Sequence, residues 1–190
     1  VADPHELVNV CGVQGAEYLA EAFSRLRAGD IQPLDVLLQL PSCVPATPFE
    51  TSGARLDARA TLQELEKPAF FGLGEMMNYP GVIAGDADTL AKLEAAKALG
   101  KIVDGHAPGV TGDALNAYLA AGVATDHESL SADEVCEKLA RGMYVQIRCG
   151  SSANNAAVCA PLMTAENYTR FLLCSDDKHA ADLMERGHID

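Results

Sequence analysis

Four residues of types that bind metal ions each follow a short apolar run, and they are Glu75, His106, His127 and Asp176. The apolar runs predict strands, and the intervals between the four residues match one, one and then two strand-plus-helix units. In an α/β barrel the carboxyl ends of the parallel strands meet at one mouth, which holds the active site. Two carboxylates and two imidazoles at that mouth suit a divalent metal that activates water.

The sequence around these residues supports the metal interpretation without requiring it. His106 lies in the segment 104–109, whose glycines and proline predict a specialised loop. Acidic neighbours flank His127 and could orient its ring. Taken alone, a histidine is more often structural, and Asp176 or the following Asp177 could instead cap a helix. Their shared position at strand ends favours metal binding.

Further candidates lie at other predicted strand ends. His5 lies in Asp3-Pro4-His5-Glu6, where it could face the same mouth as a substrate-binding group or form a structural turn. The segment Pro41-Ser42-Cys43-Val44-Pro45 predicts a rigid loop that shapes the mouth. Cys149 follows another strand, but the sequence shows no partner that would make it a nucleophile.

Apolar runs and helical patterns alternate along the whole chain. Helical spacing and caps predict helices over 16–27, 88–99, 111–121 and 135–141. This alternation predicts an α/β fold, a (β/α)8 barrel that is incomplete in this chain, with about seven βα units. The predicted strand ends fall near Asp3, Pro41, Glu75, His106, His127, Cys149 and Asp176.

The bulk properties exclude several classes of protein. A length of 190 residues and a hydrophobic content of 48% indicate a globular chain. The net charge of −13 argues against nucleic acid as a partner. No apolar run reaches the roughly 20 residues that span a bilayer, and no secretory signal is present. Six cysteines without a CxxC pair indicate reduced thiols, which predicts a cytoplasmic protein.

Together these stretches resemble the adenine deaminase family of the amidohydrolase superfamily. The resemblance runs essentially from end to end, and its two most specific segments are Glu75-Met76-Met77-Asn78 and Pro41-Ser42-Cys43-Val44-Pro45. The other matching segments include Asp3-Pro4-His5-Glu6, Asp104-Gly105-His106-Ala107-Pro108, Thr125-Asp126-His127-Glu128-Ser129, Arg148, Gly150-Ser151, Asp176-Asp177 and Gly187-His188-Ile189-Asp190.

The resemblance implies hydrolysis of the purine adenine to hypoxanthine and ammonia at a binuclear metal centre. Glu75 would bridge the metals, and His106 and His127 would bind them. Asp176 would bind metal and accept a proton from the attacking water. The resemblance favours Mn or Fe, although the ligand types also accommodate Zn. The weaker candidates for the purine pocket are Asp177, His5 and Ser42.

The sequence departs from the family in two respects. The family carries a His-x-His pair on its first barrel strand, and this sequence has none. Residues 1–190 are therefore expected to be the central part of the barrel, without the first strand, the small β domain and the C-terminal part. The isolated chain is then expected to be inactive, and an open barrel edge would favour a homo-oligomer. Cys149 stands where the family usually has Glu.

Two alternatives remain open at this point. One is an amidohydrolase that acts on another purine or on a cyclic amide, since the same metal chemistry serves both reactions. The other is a truncated barrel that binds metal without turnover, which the missing His-x-His pair favours. Ammonia release from a panel of purines distinguishes the first alternative, and metal content with turnover distinguishes the second.

Overall fold

The computed structural model describes residues 1–29 and 35–189, and in them helices alternate with parallel strands. The strands are β1 Leu38–Leu40, β2 Phe70–Met76, β3 Ile102–Gly105, β4 Thr125–Asp126, β5 Tyr144–Arg148 and β6 Phe171–Cys174. The helices are α1 His5–Ala28, α2 Ala58–Leu65, α3 Tyr79–Ala84, α4 Ala87–Ala98, α5 Gly112–Ala120, α6 Ala132–Ala140, α7 Ala156–Cys159 and α8 Ala180–Arg186. Two short 3-10 helices cover Ala160–Leu162 and Tyr168–Arg170.

The predicted strand positions agree with the observed ones. Each of the six strands ends within two residues of a predicted strand end. The remaining predicted end, near Asp3, corresponds to a single parallel bridge between Ala2 and Leu38. None of the helices described in the structure combines the length and apolar character needed to cross a membrane.

The chain divides into two compact units. The first comprises Val1–Asp104 with Ala120–Val123, and the second comprises Gly105–Leu119 with Ala124–Asp190. One sheet has the strand order β1-β2-β3, and the other has the order β4-β5-β6. In each sheet, consecutive strands of the chain are neighbours, as repeated βα units require.

In the first sheet β1 and β2 are parallel, with Leu40 opposite Leu73. Both side chains are fully buried. In the second sheet β5 is parallel to β4 and to β6, with Val145 opposite Phe171. Val145 and Phe171 belong to an apolar core that also contains Val135 of α6. Burial on both faces explains the apolar run at β1, whose three residues are all buried.

The predicted start of the first helix is wrong. The helix was expected over 16–27, but α1 begins at His5 and kinks at Gly12, where φ is 59° and ψ is −145°. Val8, Val10 and Gly12 are poor helix formers, so the first part of α1 lacks a clear helical signal. Tertiary packing overrides this weak propensity, since Val8 and Ala16 are fully buried.

Side-chain caps fix the starts of the later helices. Ser131 caps α6 by accepting a hydrogen bond from the backbone N–H of Glu134, as the sequence predicts. Asp86 caps α4 by accepting from the backbone N–H and the hydroxyl of Thr89, at 2.9 and 2.6 Å. These two hydrogen bonds lower the pKa of Asp86.

The cap at Asp86 predicts a pH-dependent contribution to stability. A carboxylate whose pKa is lowered by folding stabilises the fold above its unfolded pKa, and this contribution is lost as the pH falls through the folded pKa. The stability difference between wild type and Asp86→Asn should therefore favour wild type at about pH 6 and shrink towards about pH 2. Urea unfolding at several pH values measures it. A difference that does not change with pH would contradict this account.

Candidate metal centre

Glu75 lies near the end of β2, beside the carboxylate of Asp3. The Oδ2 atom of Asp3 accepts a hydrogen bond from the backbone N–H of Glu75 at 3.0 Å. Gly74 makes this approach possible, since a Cβ atom at residue 74 would lie 2.1 Å from Asp3 Oδ2. The glycine before Glu75 therefore makes room for a second carboxylate at this strand end.

His5 completes a group of three ligand-type side chains in the first unit. One ligand atom from each of Asp3, His5 and Glu75 lies within 4.8 Å of the others. His5 is buried, and neither of its ring nitrogens has a hydrogen-bond partner among the described residues, nor does Asp3 Oδ1. Burial and the nearby Glu75 carboxylate raise the pKa of Asp3 well above its usual value. Buried polar atoms normally have partners, so this group fits a cation.

Ser42 connects the loop after β1 to the same strand end. Its hydroxyl donates to the backbone carbonyl oxygen of Glu75 at 2.5 Å. Lys92 of α4 also holds this loop, because its ammonium donates to the carbonyl oxygens of Ser42 and Leu56 at 3.1 and 2.7 Å. These residues border a cavity of about 280 Å³, to which Cys43 and other residues of the first unit also contribute. These hydrogen bonds support the rigid loop that the sequence predicts.

The second unit brings both predicted histidines together. His106 directly follows β3 and His127 directly follows β4, and their ring centroids lie 5.4 Å apart at an interplanar angle of 72°. Glu128 Oε1 lies 3.8 Å from His106 Nδ1 and 3.5 Å from His127 Nε2. The carboxylate of Glu128 therefore faces both rings.

Asp176 lies two residues after β6, in the left-handed backbone region with φ of 52°. Its carboxylate belongs with His127 and Glu128 to a second group whose ligand atoms lie within 4.8 Å of one another. Arg148 at the end of β5 balances these acids. Its Nη2 atom lies 2.6 Å from Asp176 Oδ2 and 2.8 Å from Asp177 Oδ1, and its Nη1 atom pairs with Glu128.

Asp177 faces Arg148 and the loop after β5. The hydroxyl and backbone N–H of Ser152 donate to its carboxylate, and together with Arg148 they lower the pKa of Asp177 to about 2. The carboxylate therefore stays ionised at neutral pH. It anchors Arg148 and is exposed enough to remain a candidate for substrate binding.

The structure places six of the seven sequence-predicted site residues at the carboxyl end of a strand or within three residues beyond it, and the seventh, His5, follows the single bridge at Ala2. It groups Glu75 with His5 and Ser42 in the first unit, and His106 with His127 and Asp176 in the second. Sequence reasoning did not name three residues of these groups as site residues, namely Asp3, Glu128 and Arg148. Each lies beside a predicted strand end, and that position was the available signal.

Comparison with known proteins identifies curated adenine deaminases with similar sequences. Adenine deaminase of Nitratidesulfovibrio vulgaris (strain Hildenborough) is 52% identical over the whole chain, that of Desulfatibacillum aliphaticivorans is 49% identical, and that of Clostridium acetobutylicum is 47% identical. The chain spans 32% of the length of each of these relatives. The sequence profile of the amidohydrolase family matches residues 1–188.

The match to the family profile also bears on the fold. Amidohydrolase domains are α/β barrels, and the alternating helices and parallel strands of this chain confirm the predicted fold class. Because the profile covers nearly the whole sequence, the chain belongs to the amidohydrolase family.

Proposed function

We propose that this chain carries ligands of the metal centre of an adenine deaminase, which hydrolyses adenine to hypoxanthine and ammonia. The observation that carries the proposal is the set of ligand-type side chains at the ends of parallel strands. The identity of 47–52% to curated adenine deaminases over the whole chain supports the substrate. Since the chain spans 32% of those relatives, the activity is proposed for the protein at its natural length.

The proposed metal ligands are Glu75, His106, His127 and Asp176. A divalent metal would supply positive charge and a water activated near neutral pH. Two carboxylates and two imidazoles suit such an ion, and we favour a binuclear site with Mn or Fe, with Zn as the alternative. The buried atoms of Asp3 and His5 that have no hydrogen-bond partner among the described residues support a cation beside Glu75.

The side chains of the candidate site have separate proposed tasks in the reaction. Asp176 accepts the proton of the attacking water, a role that suits a carboxylate at the metal. Arg148 holds Asp176 and Asp177 in place through its Nη2 atom. The proposed contacts to the purine come from Asp177, His5 and Ser42.

Loading the protein with Mn, Fe or Zn and measuring ammonia release tests the proposal. The substrates are adenine, guanine and a cyclic amide, and we expect turnover of adenine. The 190-residue chain alone is the comparison, and we expect negligible turnover because its sequence holds no His-x-His pair. A metal-loaded protein of natural length that leaves adenine unchanged would contradict the proposed function.

The thiol of Cys149 favours a second candidate function, that of an amidohydrolase with another purine or a cyclic amide as substrate. The residue follows β5 directly, is exposed, and its sulfur accepts a long hydrogen bond from Asn154 Nδ2 at 3.4 Å. The family usually places Glu at this position. A thiol is a weak hydrogen-bonding group, so the site lacks one carboxylate.

Replacing Cys149 by Glu should therefore raise kcat/KM for adenine. A hydrogen bond to a charged group is worth about 1.5–3 kcal/mol, which corresponds to about 10- to 100-fold in rate. The same change at the exposed Cys136 of α6 is the matched control and should leave kcat/KM unchanged. If Cys149→Glu lowers adenine turnover and raises turnover of another substrate in the panel, the second candidate is favoured.

The remaining expectations concern partners and location. We propose a small-molecule substrate, no nucleic-acid partner and a cytoplasmic location, which the net charge of −13 and the six cysteines without a CxxC pair support. Homo-oligomer formation is also proposed, and the exposed Leu172 and Leu173 on β6 support an association surface. Light scattering of the purified protein measures its assembly.

A further inference from the structure

Lys138 of α6 is a charged side chain with no exposed surface. Its ammonium contacts four oxygen atoms, which is one more than the number of its protons. They are the carbonyl oxygen of Ala107 at 2.7 Å, Asp126 Oδ2 at 2.9 Å, Ser129 Oγ at 3.1 Å and Glu134 Oε1 at 2.6 Å. A buried lysine with this many partners is fully satisfied, and such networks hold one arrangement of the groups around them.

The same network binds the backbone beside His106. Asp126 Oδ1 accepts from the backbone N–H of Ala107 at 2.7 Å, while Lys138 donates to the carbonyl oxygen of Ala107. Glu134 Oε1 accepts from the backbone N–H of Gly109 at 2.8 Å. The loop after β3 is therefore held through both backbone polar groups of Ala107, the residue that follows His106.

The hydrogen-bond network around Lys138 also holds the backbone around His127. Asp126 precedes His127, and its Oδ2 atom accepts from the backbone N–H of Glu128 at 3.2 Å and from the Ser129 hydroxyl at 2.6 Å. Glu134 Oε2 accepts from the backbone N–H of Leu130 at 3.0 Å. One buried cluster thus fixes the loops that carry both histidines, whose rings lie 5.4 Å apart.

We propose that Lys138, with Asp126 and Glu134, forms a positioning cluster that sets the two histidines for metal binding. This inference rests on the proposed metal centre. The cluster acts through the backbone of the residues next to each ring, to which it is hydrogen-bonded. Groups that orient metal ligands in this way typically contribute about 10- to 100-fold to metal affinity.

The test measures the affinity of the protein at its natural length for Zn²⁺ by competition with a chelator. Lys138→Met keeps the length of the side chain and removes its charge, and the affinity should fall about 10- to 100-fold. Asp126→Asn keeps the volume of the side chain, removes its negative charge and can place an N–H donor beside Lys138. The Zn²⁺ affinity should fall in this variant too. Asp126→Asn decides the matter if Lys138→Met does not fold.

Val135→Ala is the matched control. Val135 is fully buried on the same helix and packs into the apolar core, and its side chain has no polar atom that could join the hydrogen bonds of the cluster. The Val135→Ala substitution should lower thermal stability while keeping the Zn²⁺ affinity within about twofold of wild type. Folded cluster variants with wild-type affinity, or an equal loss of affinity in Val135→Ala, would overturn the inference. A wild-type protein that binds no Zn²⁺ would instead contradict the proposed metal centre.

Discussion

Replacing Asp176 by Asn should lower kcat/KM for adenine deamination by about 10²- to 10⁴-fold, the usual contribution of a positioned proton acceptor. The amide cannot take the proton of the attacking water, and it carries no charge for the metal. The fold should persist, because Asn tolerates the left-handed backbone found at Asp176, where φ is 52°. Ammonia release measures the rate, and thermal unfolding checks the fold.

Metal content separates the two roles proposed for Asp176. A variant that keeps its metals but has lost turnover indicates the proton acceptor, whereas a variant that has lost metal indicates the ligand. Asp133→Asn makes the same chemical change at an exposed position in the first turn of α6 and should have no effect. Turnover by Asp176→Asn within a few-fold of wild type would contradict both roles.

Replacing Glu75 by Gln should remove most metal and most activity together. A ligand should matter more than the groups that merely orient ligands, whose loss costs about 10- to 100-fold in metal affinity. Gln has nearly the same shape as Glu. The contacts of residue 75 with Asp3 and Ser42 use its backbone N–H and carbonyl oxygen, which the substitution leaves in place.

Metal analysis after gel filtration and ammonia release measure this prediction. Glu66→Gln at the exposed end of α2 is the control and should retain full metal content and activity. Near-normal turnover with full metal content in Glu75→Gln would show that this carboxylate has another task.

The strand ends were predictable because each apolar run stops where a polar side chain begins. Glu75, His106 and His127 could be placed at strand ends from this local pattern alone, and the structure puts them there. The capping residue Ser131 was predictable for the same reason, since an N-terminal cap needs only residues close in sequence.

The buried cluster around Lys138 was not predictable. Lys138 follows Glu134 by four residues on α6, a spacing typical of an exposed ion pair. Its burial depends on Asp126 of β4 and on Ala107 of the loop after β3, which lie 12 and 31 residues away in the sequence. The same holds for Arg148, whose acidic partners lie 20 to 29 residues away in the sequence. Such contacts follow from tertiary structure and leave no local pattern.

Gly74 has a consequence for reading natural variation. Substitution scales rank glycine to alanine among the mildest changes, and in a loop with open space that ranking holds. At residue 74 the added methyl group would stand 2.1 Å from Asp3 Oδ2, which is inside the volume of the carboxylate. A genetic survey that grades variants by chemical similarity would classify Gly74→Ala as harmless. A single methyl group at this residue would nevertheless displace the Asp3 carboxylate, which accepts a hydrogen bond from the backbone N–H of Glu75.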